Sequence, residues 1–222
     1  MQIAIDGPSG AGKSTISKCI AQNLGFVYID TGAMYRTIGL CAIRNQLDTK
    51  NNSELIINML DNISIDIELD SAGQRMFLNG EDVTEKIRTP EVSAAASDVA
   101  AIPEVRNKLV EMQRNLAGGK NVIMDGRDIA TNVLPNAEIK IFLTASAESR
   151  AQRRFEELLL RGVKTTFEQV LADVNNRDEN DSNRNFCPLC IDNDAKIIDT
   201  TGNSLEESIK IINKYILQEM GK

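Results

Sequence analysis

Short apolar runs that stop at an aspartate or a glycine alternate with longer stretches of helical periodicity along most of this chain. Five runs have the continuous apolar character of strands that are buried on both faces, the last of them more weakly: residues 2–6, 26–30, 121–125, 139–143 and 196–199. Strands that are separated by helices indicate a parallel sheet with helices on both faces. The pattern therefore predicts an α/β fold.

Between Ile63 and Ile87 the hydrophobic period changes from that of a helix to two. This alternation, interrupted at Ser71-Ala72-Gly73, predicts a β-hairpin, and Asn79-Gly80 predicts a further tight turn, so the stretch is expected to form a small antiparallel sheet. Proline at a first helical turn then predicts helices over 90–101 and 103–117.

The last third of the chain has helical spacing with many charges. Residues 150–184 are predicted to be helical, with a break at Gly162 and a new N-cap at Thr166. A capping box of Ser204 and Glu207 predicts a C-terminal packing helix over 204–220.

Composition excludes several classes of protein. The 222 residues are 42% hydrophobic and 26% charged, which is typical of a folded globular chain. No apolar run reaches the roughly 18 residues that a membrane span needs, and the first residues do not look like a secretion signal, so a cytoplasmic protein is expected. The net charge of −7 argues against nucleic acid as a partner, and a membrane partner is not expected either.

The chain has no histidine, which excludes a histidine general base and histidine-ligated metals. The four cysteines are irregularly spaced and are expected to be reduced thiols. Cys187 and Cys190 form a C-x-x-C pair, but no second pair of ligands accompanies them. Partial metal binding or reversible disulfide control is the alternative for these two residues.

Residues 7–14 match the phosphate-loop pattern G-x-x-x-x-G-K-[ST], between a predicted strand and a predicted helix. In such a loop, backbone N–H groups surround the phosphate oxygens, Lys13 adds a positive charge, and the hydroxyl of Ser14 can bind Mg²⁺. Asp6 and Asp125 end predicted strands, where a carboxylate can hold an Mg²⁺ water, and Asp125 is the preferred candidate. A solvated aspartate at a strand end is the alternative for both.

Arginines suggest a second anion site on this acidic chain. Arg36 and Arg127 follow the carboxyl ends of predicted strands, next to the phosphate loop. Further arginines lie in the late helical region: Arg150, Arg153, Arg154, Arg177 and Arg184. Of these, the first three are candidates for closing over a transferring phosphoryl group.

Five strings in this order resemble the bacterial cytidylate kinase family of phosphate-loop nucleoside monophosphate kinases. They are DGPSGAGKS at 6–14, DTGAMYR at 30–36, IRTPEV at 87–92, DGRD at 125–128 and RDENDSNR at 177–184. The resemblance implies a three-layer nucleotide kinase fold around a five-stranded parallel sheet. It also implies a single domain with a core of residues 1–62 and 119–222, a monophosphate-binding insertion at about 63–118 and a helical lid at about 150–185.

The activity that the resemblance implies is Mg²⁺-dependent, in-line transfer of the γ-phosphoryl group of ATP to CMP and dCMP, by a monomer. The implied ATP site is Gly7, Pro8, Ser9, Gly10, Ala11, Gly12, Lys13, Ser14 and Thr15. Thr31, Arg36, Arg127 and Arg184 match positions that bind the acceptor phosphate, while Arg177 and Asp181 match positions at the sugar. Ser97, Arg106 and Asp128 match positions that bind cytosine. The groups expected to stabilise the transferring phosphoryl group are Lys13, Arg127, Arg153 and Arg184.

Hydrogen-bond chemistry supports the assignment of Arg106 and Asp128 separately from the family. A carboxylate accepts from the 4-amino group of cytosine and a guanidinium donates to N3, whereas uracil reverses both polarities. An ordinary helix serine is the alternative for Ser97. Two other functions stay open: a kinase for UMP, AMP or a small metabolite, and a nucleotide-dependent switch that signals to a partner.

Overall fold

The computed structural model describes residues 1–70 and 73–221. Its strands, in chain order, are β1 (Gln2–Asp6), β2 (Val27–Asp30), β3 (Ile65–Asp70), β4 (Gly73–Leu78), β5 (Glu81–Asp82), β6 (Val122–Gly126), β7 (Ile139–Thr144) and β8 (Lys196–Asp199). Its α-helices are α1 (Lys13–Leu24), α2 (Thr31–Arg44), α3 (Ser53–Leu60), α4 (Pro90–Val99), α5 (Pro103–Ala117), α6 (Ala147–Leu160), α7 (Phe167–Ser182) and α8 (Leu205–Glu219).

The central sheet has five parallel strands in the order β2-β6-β1-β7-β8. Strand β1 lies in the middle, and Ile3, Ala4 and Ile5 are fully buried because helices cover both of its faces. The predicted parallel sheet is confirmed. Since parallel strands end at one edge, Asp6, Asp30 and the Asp125 turn meet there.

Helices cover the two faces of this sheet. On one face, Ile16 and Ile20 of α1 and Ile212 of α8 pack against β1 and β7. On the other face, Val110 of α5 and a one-turn π-helix over Ile129–Val133 pack against β1, β2 and β6. The result is the three-layer arrangement that the sequence predicted.

The segment between α3 and β6 begins with an antiparallel sheet in the order β3-β4-β5, as predicted. The predicted hairpin turn at Ser71 and Ala72 lies outside the described residues. The apolar face of this sheet joins α2, α4 and α5 in a single hydrophobic cluster. At Gly39 of α2, an added Cβ would lie only 2.9 Å from the backbone nitrogen of Ala96 in α4. A glycine therefore permits the close approach of these two helices.

Helices α6 and α7 form a hairpin with its own small cluster of apolar side chains. Gly162 follows the end of α6 with φ 73°, and Thr166 caps α7 in a capping box with Gln169. The predicted break and N-cap are both confirmed. Ser204 and Glu207 form the predicted capping box of α8. In the described ranges, no helix has the length and apolar character to cross a membrane. The division into core, insertion and lid remains a prediction.

Candidate active site

The phosphate loop joins β1 to α1 at the carboxyl edge of the sheet. Gly7 lies so close to β7 that an added Cβ would meet the carbonyl oxygen of Leu143 at 2.0 Å. Gly10 and Gly12 have φ angles of 77° and 88°, which favour glycine. Within the described chain no side chain caps α1, so the amides of its first turn are available to an anion.

Lys13 begins α1 and is buried, with its Nζ donating to the carbonyl oxygen of Pro8 at 2.8 Å. Burial and, second, the nearby charge of Arg127 lower the pKa of Lys13 to about 7, while the charge of Asp125 opposes the shift. A desolvated ammonium group that faces a second cation is stabilised by a bound anion.

Asp125 is the centre of a hydrogen-bonded group at the end of β6. Ser14 Oγ donates to its Oδ2 at 2.8 Å, and Tyr28 OH donates to its Oδ1 at 2.9 Å. Thr31 Oγ1 donates to its backbone carbonyl at 2.8 Å. Burial, followed by the charge of Asp30, raises the pKa of the Asp125 carboxyl to about 6. A carboxylate oxygen of Asp125 and the hydroxyl of Ser14 thus lie within hydrogen-bond distance of each other at the phosphate loop.

Asp6 has a different environment, although it also ends a strand. Its two carboxylate oxygens accept from the backbone N–H groups of Ile129 and Ala130 at 2.8 and 2.7 Å. Burial raises the pKa of Asp6 to about 6. Its hydrogen bonds show that Asp6 fastens the π-helix to β1, which accounts for its burial without a metal role.

Arginines from three elements converge at the same edge of the sheet. Arg36 pairs with Asp30 at 2.8 Å, and Arg127 Nε donates to Asp181 Oδ2 at 2.7 Å. Arg184 lies 3.9 Å from the other oxygen of Asp181. These three guanidinium groups therefore share two carboxylates, those of Asp30 and Asp181.

Arg177 shows that this cluster has excess positive charge. Burial, then the charge of Arg127 and more weakly that of Arg36, lowers the pKa of Arg177 to about 10. Several buried guanidinium nitrogens have no hydrogen-bond partner within the described residues: Nε of Arg36, Arg177 and Arg184, and Nη2 of Arg184. Because buried donors are normally satisfied, these atoms indicate a site for an anion.

Arg106 and Asp128 form an ion pair that is buried between α5 and the π-helix. Arg106 Nη1 also donates to the carbonyl of Ala100 at 3.2 Å, and its guanidinium carbon lies 5.4 Å from the centre of the Tyr35 ring. Asn132 Nδ2 donates to Asp128 Oδ2 at 3.0 Å.

Ser97 lies on α4, and its Oγ is buried without a hydrogen-bond partner among the residues that the structure describes. The same is true of the hydroxyl group of Tyr35. Unsatisfied hydroxyl groups in the interior are consistent with a polar ligand.

The three candidate closing arginines have separate partners. Arg150 binds Asp178 and the carbonyl of Ser9, and Arg154 binds Glu157. Arg153 donates to the carbonyl oxygen of Thr200 at 2.6 Å, beyond the end of β8. The role of Arg153 at the transferring phosphoryl group remains a prediction.

Cys187 is half-buried, Cys190 is exposed, and both are free thiols. Within residues 1–70 and 73–221, no group of three or more cysteine, aspartate or glutamate side chains is arranged to hold a metal ion.

Sequence reasoning missed several residues that the fold brings to this edge: Tyr28, Asp30, Tyr35, Arg88 and Asn132. Asp30 carried a usable signal, because it ends a strand as Asp125 does. Tyr28 carried none, because its partner Asp125 lies 97 positions away. Asn132 lies four positions after Asp128, but the sequence predicted no helix there, so their contact was not expected.

Three comparisons describe what the chain is similar to. A family model described as Cytidylate kinase matches residues 3–218. The cytidylate kinase of Caldicellulosiruptor bescii is 54% identical over 210 residues, which cover 95% of this chain and 92% of that protein. The cytidylate kinase of Halalkalibacterium halodurans is 47% identical over 220 residues, which cover 99% of each chain. A crystal structure of an uncharacterized protein from Eubacterium ventriosum shares the fold, with a TM-score of 0.53, 13% identity and coverage of 97% and 98%.

Proposed function

Because the chain belongs to the cytidylate kinase family and transfers a phosphoryl group from ATP to CMP, we propose that the phosphate loop and the arginine cluster are the two halves of its active site. The observation that carries this proposal is the convergence of Arg36, Arg127, Arg177 and Arg184 at the edge that also carries the loop. A site with two anion-binding halves suits two phosphorylated substrates.

The ATP half consists of Gly7 to Thr15. The backbone N–H groups of the loop and of the first turn of α1 bind phosphate oxygens. Lys13, which donates to the Pro8 carbonyl in this structure, binds the phosphates nearest the transferred group. ATP neutralises the desolvated Lys13 cation, so binding relieves the repulsion between Lys13 and Arg127.

We also propose Mg²⁺ as a cofactor. Mg²⁺ prefers oxygen ligands, and the Ser14 hydroxyl and the Asp125 carboxylate lie within hydrogen-bond distance of each other beside the loop. These residues fit the ion: Ser14 would be a direct ligand, and Asp125 would act through a water. Mg²⁺ would supply neutralisation of the phosphate charge.

The acceptor half binds the phosphate of CMP through Thr31, Arg36, Arg127 and Arg184. The Thr31 hydroxyl, which donates to the Asp125 carbonyl, stands at the N-terminus of α2 among these groups. Arg177 and Asp181 lie at the sugar, and Asp181 also orients Arg127. We propose that dCMP is a substrate as well as CMP.

The base site is formed by Ser97, Arg106 and Asp128. The carboxylate accepts a hydrogen bond from the 4-amino group of cytosine, and the guanidinium and hydroxyl groups face the ring acceptors. Arg106 and Asp128 are both buried, so a base with reversed polarity sets an acceptor against the carboxylate and a donor against the guanidinium, at a high free-energy cost. This polarity excludes UMP in favour of CMP.

Transfer itself requires positioning and charge stabilisation rather than a general base. Lys13, Arg127 and Arg184 surround the transferring group. Arg153 joins them when its guanidinium leaves the Thr200 carbonyl as α6 and α7 close. Closure excludes water, which otherwise competes with CMP for the phosphoryl group.

We further propose that the protein acts as a cytoplasmic monomer on small molecules, without nucleic acid or membrane as a partner. The net charge of −7 supports the lack of nucleic-acid binding. Light scattering during gel filtration measures the mass, and a dimer would contradict the proposal.

The experiment that tests the site is ADP release in a coupled assay with Mg²⁺ and ATP. CMP, dCMP, UMP, AMP and GMP are offered one at a time at equal concentration. We expect turnover with CMP and dCMP and little with the others. Selectivity for another monophosphate would overturn the roles of Ser97, Arg106 and Asp128 but keep the two phosphate sites.

A further inference from the structure

Asp30, at the end of β2, holds two guanidinium groups on one carboxylate oxygen. Arg36 Nη2 lies 2.8 Å from Asp30 Oδ2, and Arg88 Nη1 lies 3.2 Å from the same atom. The second oxygen accepts from the N–H of Ala33 at 2.9 Å and caps α2. Two guanidinium groups that share one oxygen lie side by side. Together they carry two positive charges, against the single negative charge of the carboxylate.

The position of Asp30 is fixed by a side chain of the antiparallel sheet. Gln74 Nε2 donates to the carbonyl oxygen of Asp30 at 3.1 Å, and the N–H of Asp30 donates to Gln74 Oε1 at 2.9 Å. The Asp30 side chain is only 6% exposed. The carboxylate is therefore a buried, immobile anchor for both arginines.

Arg88 has a second contact, through its backbone. It ends the 3₁₀ helix Lys86–Arg88, and its carbonyl oxygen accepts from Nη1 of Arg161 at 3.2 Å. Arg161 follows the last residue of α6 and pairs with Glu157 of that helix at 2.9 Å. This hydrogen bond links the end of α6 to the segment that carries β3 to α5.

An anion that binds Arg36 draws this guanidinium away from Asp30 and leaves the carboxylate with one cationic partner fewer. When Arg36 turns from Asp30 to the phosphate of CMP, a lone buried carboxylate would repel that phosphate at short range. Arg88 can stay on Asp30 and keep it neutralised. The side chain of Arg88 is 34% exposed, so its retention on Asp30 costs little desolvation.

We propose that Arg88 is a positioning residue for phosphoryl transfer: it neutralises Asp30 while Arg36 binds the acceptor phosphate, and its carbonyl is the docking point that holds Arg161, at the end of α6, against the segment that carries β3 to α5. The proposal rests on the proposed function, because it takes Arg36 as an acceptor-phosphate residue.

The first test is Arg88→Gln in steady-state assays that vary CMP and ATP separately. We expect KM for CMP to rise about tenfold to a hundredfold, as for loss of a charge-assisted hydrogen bond, with KM for ATP unchanged. Arg88→Lys should recover part of the loss. An unchanged KM for CMP in Arg88→Gln would overturn the proposal.

The second test separates charge from structure. Asp30→Asn keeps an N-cap for α2 but removes the charge. In the double variant Asp30→Asn with Arg88→Gln, we expect KM for CMP to return most of the way toward that of Asp30→Asn alone. A double variant as impaired as Arg88→Gln, or an Arg88→Gln protein that fails to fold and is not rescued by Asp30→Asn, overturns the role of Arg88 in neutralising Asp30.

The docking contact is tested with Arg161→Ala, and Lys164→Ala is the matched control because it removes the same charge from the exposed turn after α6. We expect kcat/KM for CMP to fall about twofold to fivefold in the first variant and to stay constant in the second. Equal effects would overturn the docking role. Failure of the unaltered enzyme to phosphorylate CMP would instead refute the proposed function.

Discussion

Arg150 joins α6 and α7 to the phosphate loop through a bidentate pair with Asp178. Its Nη1 lies 3.0 Å from Asp178 Oδ1 and its Nη2 lies 2.5 Å from Oδ2. Nη1 also donates to the carbonyl of Ser9 at 3.0 Å, and Nε donates to the carbonyl of Ala145 at 2.9 Å. One buried guanidinium thus couples the position of α7 to the shape of the phosphate loop.

Arg150→Met is therefore expected to weaken ATP binding. The substitution keeps the volume of the stem but removes the donors to Ser9 and Asp178, so KM for ATP should rise by about tenfold or more while KM for CMP changes little. Initial rates with each substrate varied in turn measure both constants. Gln152→Met, on the exposed face of the same helix, is the control. A rise confined to CMP would contradict the prediction.

Asp128→Asn is expected to destroy the selectivity for cytosine. The amide presents a donor where the 4-amino group needs an acceptor, and it leaves Arg106 with an uncompensated buried charge. We expect kcat/KM for CMP to fall by at least about a hundredfold and the ratio of CMP to UMP turnover to fall with it. The dissociation constant of ATP should not change.

Asp194→Asn serves as the matched control for Asp128→Asn, since Asp194 is exposed. If Asp128→Asn kept the preference for CMP over UMP, the base-binding role of Asp128 would be wrong.

The stability of the protein should depend on pH through Asp6. Burial raises the pKa of this carboxyl from 3.8 to about 6, so the folded chain holds the proton more tightly than the unfolded chain. The stabilisation is present in full below about pH 4 and is lost as pH rises through 6. Relative to Asp6→Asn, which cannot titrate, the free energy of unfolding of the unaltered protein should fall by on the order of 1–3 kcal/mol between pH 4 and 7.

Urea denaturation of both proteins at several pH values checks this prediction. Titrating groups that do not interact with Asp6 are common to the two proteins and cancel in the difference, whereas Lys13, whose pKa the Asp6 charge raises, does not cancel fully. A difference that is constant, or that grows in favour of the unaltered protein as pH rises, would contradict the assigned shift.

Gly39→Ala is expected to destabilise the contact between α2 and α4. The added Cβ would lie 2.9 Å from the backbone nitrogen of Ala96, which cannot move without displacing α4. Overpacking should lower the free energy of unfolding by about 1–3 kcal/mol. This loss should exceed the stabilisation that comes from the higher helix propensity of alanine. Thermal unfolding measures the loss, with Ala94→Ser on the exposed face of α4 as the control. An unchanged midpoint of thermal unfolding would contradict the prediction, because it would show that α2 and α4 can move apart without loss of stability.

The sheet, the phosphate loop and most helix boundaries were predictable because their signals are local. Neighbouring side chains alone predict a strand over residues 2–6 and a helix over 14–24, and the structure has β1 at Gln2–Asp6 and α1 at Lys13–Leu24. Errors at element ends were small, because fraying makes the boundary ambiguous: β2 begins at Val27 rather than Phe26, and α4 ends at Val99 rather than 101. The sequence did not predict α3 or the π-helix over Ile129–Val133.

The chemical types present in the site were also visible in the sequence, since a phosphate loop and an excess of arginines on an acidic chain indicate anion binding. The pairing of these groups was not visible. Arg127 pairs with Asp181, which lies 54 positions away in the sequence, and Arg88 pairs with Asp30, which lies 58 positions away. No periodicity connects residues at such distances.

The sequence by itself therefore determined the α/β fold, the phosphate loop and the inventory of arginines and aspartates, because backbone propensity and hydrophobic period act over a few residues. The tertiary structure alone decided which carboxylate each arginine binds, that Asp6 fastens the π-helix, and that Arg153 rests on the Thr200 carbonyl. Those choices depend on burial and Coulomb interactions between distant segments, and both exist only after the chain has packed.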